Sequence, residues 1–235
     1  MGTERRNWCC TTIERRAAES AVGAGLEGVA SRAQRWKRGT VLRVRFLQGK
    51  TDLHARVLAS ARQWLIPGVQ LDIVAAKAGE AAQIRITFED GDGSWSYIGK
   101  ENLLIQPSKP TMNLGWATMA TPQDDFDSVV IHEFGHALGL LHEHNHPLAT
   151  VQWNKPAVDA DLSGPPNEWD AATIHSNVYA AFDESDVITT DFDAASVMIY
   201  PISPSWTVDG SAFIPSPRLS EGDKAMILRL YGPQT

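Results

Sequence analysis

From Thr40 to Gly49 the chain reads TVLRVRFLQG, with Val41, Leu42, Val44 and Phe46 set against Arg43 and Arg45. That near-alternation predicts a strand with one face turned inward, ended by Gly49. Directly after it, Leu53, Val57, Leu58, Ala61, Trp64 and Leu65 recur at helical spacing in LHARVLASARQWL, a single apolar stripe. Thr51 and Asp52 stand where helix caps are expected. VQLDIV and AQIRITFE supply two more strands, and PTMNLGWAT a weaker one. DSVVIHEFGHALG reads as a helix, with Asp124, Asp125 and Asp127 where the helix dipole favours negative charge. Beyond Pro147 the pattern breaks into loops (LSGPPNEW, YPISPSW, IPSPR), interrupted by a predicted helix, EWDAATIHSNVYAAF, and closed by another, LSEGDKAMILRLYG. Strand, helix, strands and then helix predict an α+β fold, a sheet backed by helices.

Residues 1–39 are rich in Arg, Glu, Ala and Gly, and Gly23, Gly25 and Gly28 weaken any long helix there. They read as an N-terminal extension, a candidate prosegment, leading into a domain over residues 40–235. In DGDGSWSYIGKE, Asp90, Asp92, Ser94 and Glu101 sit at offsets reminiscent of a calcium loop. Trp95 occupies the position that must turn sharply, and a strand precedes it, so the segment reads as a hairpin turn, with a calcium loop the disfavoured alternative.

The remaining bulk properties narrow the function. A length of 235 residues suits one good-sized domain or two lobes around a cleft. A formal charge of −7 argues against nucleic acid, which wants a basic face. No apolar run approaches the roughly 18 residues of a membrane helix. The start, MGTERRNWCC, has no apolar stretch of a signal peptide. Cys9 and Cys10, the only cysteines, are adjacent and bridge to each other only with strain; a four-thiolate zinc site is excluded. They read as an incidental pair. The alternative is a thiolate that reaches a metal elsewhere and blocks it, as an inhibitory prosegment does.

Five of the seven histidines fall between His132 and His146. His132 and His136, four apart on a helix, project from one face and can share an ion. Glu133 is adjacent, where a carboxylate reaches a water on that ion without ligating it. Gly139 then allows the positive φ that ends the helix and swings His142 back toward the same point. Three imidazoles with a fourth position left for water describe a catalytic zinc, and neutral imidazoles suit zinc, although copper, nickel or cobalt can also occupy such a site. His144 and His146 read as residues of a polar surface loop, and His54 and His175 as surface or boundary residues.

The H-E-x-x-H-x-x-G-x-x-H pattern resembles the zinc helix of the metzincin metallopeptidases, and SVMIY (Ser196 to Tyr200) resembles their Met-turn. Within that group the chain looks most like the astacin branch. His142 is followed by Glu143 and His144, Tyr200 stands two residues beyond Met198, and SWSYIG resembles the stretch preceding the astacin substrate-binding edge strand. The resemblance covers roughly residues 40 to 235. Astacins carry an arginine- and aspartate-rich run after the third histidine where this chain has NHPLAT, and their disulfides have no counterpart here.

The resemblance implies a two-lobed α+β metallopeptidase: an upper lobe of about 40–139 with a mixed twisted sheet, and a loop-rich lower lobe of about 140–235. It implies one catalytic zinc on His132, His136 and His142, with Glu133 as general base. Met198 would be the apolar floor, and Tyr200 would stabilise the oxyanion and serve as a further zinc ligand at rest. In mature astacins the glutamate corresponding to Glu143 binds a buried new N-terminus. Protein or peptide substrates, a monomer and an extracellular site of action are expected. Two rivals remain: a zinc-holding but inactive peptide-binding module, and a zymogen kept latent by the extension.

Overall fold

The alternation in TVLRVRF is realised as strand β1 (Thr40–Phe46), which buries Leu42 and Val44. Helix α1 (Thr51–Ala61), continued by a 3-10 turn over Arg62–Trp64, buries Leu53, Val57, Leu58, Ala61 and Trp64. Its N-cap is Lys50, in extended conformation and making no side-chain cap. Thr51 and Asp52 therefore lie inside the first turn instead of capping it, because the chain leaves Gly49 at φ +85° and enters the helix one residue early.

Strands β2 (Leu71–Ala75), β3 (Ile84–Thr87), β4 (Ser94–Ser96) and β5 (Met112–Leu114) complete a sheet of order β2-β1-β3-β5-β4. All pairings are parallel except β4, which runs antiparallel to β5 at the edge. The turn around Asp90 to Gly93 is thus not a hairpin. β5 inserts between β3 and β4, and the buried Asn113 of β5 holds the turn by bonding Glu89 and Gly93 backbone groups at 2.7–3.1 Å. Helix α2 (Gln123–Ala137) packs with α1 and with the sheet, burying Phe126, Val130, Ile131 and Phe134. The indole of Trp64 donates to the Ile131 carbonyl at 2.9 Å, so the two helices are joined one turn before the metal-site residues end.

The later half contains a helix the hydrophobic pattern did not announce, α3 (Lys155–Ser163), which buries only Val158 and Leu162. The helix expected over EWDAATIHSNVYAAF is short: α4 (Ala171–Ile174) opens into a π-turn, His175–Tyr179. These pieces share a second core with Tyr200, Ile202 and Trp206. Helix α5 (Glu221–Tyr231) starts from a Ser220–Asp223 capping box and returns Met226, Ile227 and Leu230 to the larger core of sheet, α1 and α2.

The computed structural model describes residues 30–233 except 166, 182–184 and 186; Cys9 and Cys10 lie outside the described residues. Residues 30–38, assigned from sequence to the extension, lie against the body of the domain. Ala30 and Ser31 bridge to Leu140 and Val187, and Trp36 is buried. Among the described residues no helix is long and apolar enough to cross a membrane.

Candidate metal centre and active site

Helix α2 ends in a Schellman motif. Gly139, at φ +96°, donates to the His136 carbonyl at 2.8 Å, and Leu140 donates to Gly135 at 2.9 Å. The carbonyls left over at the helix end are taken up from outside α2. Trp36 Nε1 donates to Ala137 at 2.8 Å, the Tyr231 hydroxyl to Leu138 at 2.5 Å, and Ser31 N to Gly139 at 3.1 Å. The turn that delivers His142 is therefore fixed by the segment before β1 and by α5, two parts of the chain far from the motif.

Three imidazoles converge beyond that turn. His136 Nε2 lies 3.2 Å from His132 Nε2 and 3.2 Å from His142 Nε2, and one ligand atom from each lies within 4.8 Å of the others. His132 donates its Nδ1 proton to the Val197 carbonyl at 2.7 Å, and His136 donates its own to Leu140 at 3.0 Å. Both tautomers are thereby set, leaving bare lone pairs on Nε2. Burial pushes His132 down to about 4 and holds His136 and His142 well below the ordinary histidine range, so all three are neutral at pH 7. Lone pairs packed this closely repel unless a cation lies between them. A tetrahedron with metal–nitrogen bonds of about 2.0–2.1 Å has edges of about 3.3–3.4 Å, close to the two 3.2 Å separations from His136, and three neutral imidazoles are a donor set that fits zinc.

Glu133 is fully buried, and on α2 it is a one-turn neighbour of His136 as well as the next residue after His132. The Met-turn arrives from the other side. Met198 accepts the Glu143 amide on its carbonyl at 3.0 Å, and its side chain packs against α2 at Gly135. Tyr200 is buried with its ring edge-on to His142, centroids 5.5 Å apart, and stacked with Trp206 at 6.4 Å. Asp223 of α5 anchors this turn, accepting from Ser196 Oγ at 2.7 Å and Val197 N at 2.9 Å. Because Val197 in turn accepts from His132, Asp223 reaches that imidazole through a single residue. Glu143 is buried, accepts from Asp193 N at 2.8 Å, and is pushed up to about 8 by burial. It lines a small pocket, about large enough for a water molecule, together with Asp193, Met198 and Asp223.

The expectation that His144 and His146 lie on a surface loop fails. They are 3% and 2% exposed, because the chain after His142 folds inward between the π-turn and residues 187–190. His144 Nε2 donates to Asn177 O and His146 Nε2 to Thr190 O, each at 3.0 Å, and neither belongs to the metal cluster. His54 stacks on Phe46 with centroids 4.0 Å apart, and His175 opens the π-turn. Sequence reasoning did not single out Gly135, Asp223, Trp36 or Asn177. Each acts through a residue far away in sequence, and no local pattern marks it.

The model of the astacin peptidase family matches residues 28–150. A structure of myroilysin is 34% identical, with a TM-score of 0.83 over 88% of this chain and 100% of that one. A crystal structure of myroilysin is 33% identical, with a TM-score of 0.67 over 90% and 94%. High choriolytic enzyme 1, a hatching-enzyme zinc-protease from the medaka fish Oryzias latipes, shares the fold at 16% identity, with a TM-score of 0.57 over 85% and 94%.

Proposed function

The chain belongs to the astacin family of zinc metallopeptidases, and on that premise we propose that it is an endopeptidase whose zinc is held by His132, His136 and His142 and whose general base is Glu133. The observation that carries this reading is the convergence of three buried, neutral imidazoles, with His136 Nε2 at 3.2 Å from the Nε2 of each of the other two. Zinc bound there supplies a Lewis acid that polarises a carbonyl and makes water more acidic.

The chain's own residues do the rest. The Val197 and Leu140 carbonyls hold two of the imidazoles in the ligating tautomer. Glu133 takes a proton from the water that attacks the scissile carbonyl and passes it to the leaving amine nitrogen. Its burial beside the histidines keeps bulk solvent from competing for that proton. The Tyr200 hydroxyl donates a hydrogen bond to the oxyanion of the tetrahedral intermediate. Strand β4 pairs only with β5 among the described strands, which supports an extended substrate adding to its other edge through backbone hydrogen bonds.

The test is cleavage of an internally quenched peptide blocked at both termini. Cleavage lost on chelation and restored by about one equivalent of zinc is expected, from the full chain or from a chain cut just before Ala30. If both forms bind zinc and neither cleaves, the protein is a peptide-binding module and the proposal fails.

A further inference from the structure

The three zinc ligands are not held alike. His132 and His136 each give their second ring nitrogen to a backbone carbonyl. His142 Nδ1 is buried with no hydrogen-bond partner among the described residues. Its ring must be aimed by packing alone, and on one side the neighbour is His144. The two rings are nearly parallel, 30° apart with centroids at 5.1 Å. His144 is itself immobilised. Its Nε2 donates to Asn177 O at 3.0 Å, Trp153 meets its edge at 5.9 Å, and Tyr200 lies at 5.3 Å. Asn177 belongs to the π-turn, whose carbonyls accept from side chains of this loop; Val178 and the following Ala180 accept from Asn145 Nδ2 at 3.3 and 2.7 Å.

We propose that His144 is a positioning residue for the third zinc ligand: its ring, pinned by the π-turn, orients His142 by stacking, in place of the carbonyl that orients each of the other two. This deepens the reading of His142 as a ligand and rests on it. A loose ligand must be ordered when the ion binds, so loss of the stacked ring weakens zinc. Groups that orient ligands through hydrogen bonds are worth about 10–100-fold in metal affinity, and the lower end of that range is expected here.

The test is the zinc dissociation constant of the full chain, read by competition against a chromophoric chelator. His144→Ala and His144→Leu are each expected to weaken zinc about tenfold or more, while His144→Phe, which restores a flat ring without the bond to Asn177, stays within about threefold of the parent. Circular dichroism and the thermal midpoint of the zinc-free proteins are measured alongside. A loss of affinity that simply follows the loss of zinc-free stability marks a structural residue and overturns the proposal. So does a Leu variant that binds as tightly as the Phe variant. Should His144→Ala fail to fold, the Leu and Phe pair decides. His142→Ala separates the two levels: undiminished zinc affinity there removes the ligand assignment itself, whereas its loss together with unchanged binding in His144→Leu removes only the role of His144.

Discussion

Gly135→Ala tests how the Met-turn is held against the zinc helix. In an open helix this change stabilises by about 1 kcal/mol, since alanine is the better helix former. At Gly135 a Cβ would fall under 3.0 Å from Met198 Sδ, and 3.1 Å from both Met198 Cε and Trp64 Cζ2. Met198 is 1% exposed and Trp64 fully buried, so neither has free space to retreat into. Overpacking of this kind costs about 1–3 kcal/mol. Set against the helix gain, a net destabilisation of about 1 kcal/mol is expected, which is about 2–4 °C in thermal midpoint for a chain of this size. The diagnostic is a double-mutant cycle read by denaturant unfolding. With Met198→Ala in place Sδ and Cε are gone, and Gly135→Ala should become neutral or stabilising, a coupling of about 1–3 kcal/mol. An effect of the same sign and size in both backgrounds would refute the packing argument.

Tyr200→Phe should leave zinc content unchanged and lower turnover about 100-fold, the usual cost of an oxyanion donor, as read by steady-state kinetics with metal analysis; parallel loss of zinc would make the tyrosine structural. Acid should unfold the zinc-free protein. Burial holds His144 at about 4, below the ordinary 6.5, so the unfolded chain takes up protons first as pH falls. The stability is complete above pH 6.5 and is lost between 6.5 and 4, amounting to about 3 kcal/mol by pH 4 for this residue alone. His132, His136 and His142 are shifted the same way and add to the loss. Urea midpoints that stay level from about pH 7 to about pH 4.5 would contradict the burial of neutral imidazoles.

What could be read from the chain was whatever is encoded locally. The zinc motif lies on one helix and one turn, where spacing alone sets direction, and Gly139 announced its own positive φ. Strands β1, β2, β3 and β5 and helix α5 likewise follow from short-range apolar patterning, whereas β4 lies in the stretch that reads as a turn. The errors share a different cause. α3 offers only Val158 and Leu162 as buried positions, too few for a periodic signal. The β3–β4 turn looked like a hairpin because β5, which separates those strands, comes later in the chain. His144 and His146 looked solvated because their covering partners, Asn177 and Thr190, lie 33 and 44 residues away. Trp36 sat in a segment of charged and small residues, and its bond to Ala137 spans 101 positions. Thus the clustered histidines were legible, and the groups that orient them mostly were not.

Glu133→Gln, assayed for zinc content and for cleavage of a quenched peptide in one preparation, tests the central claim most directly. The substitution keeps the size of the side chain and removes its ability to accept the proton. About one zinc per chain with cleavage reduced about 100-fold or more is the predicted result. A zinc-loaded variant that cleaves at the parent rate would contradict the assignment of Glu133 as the base.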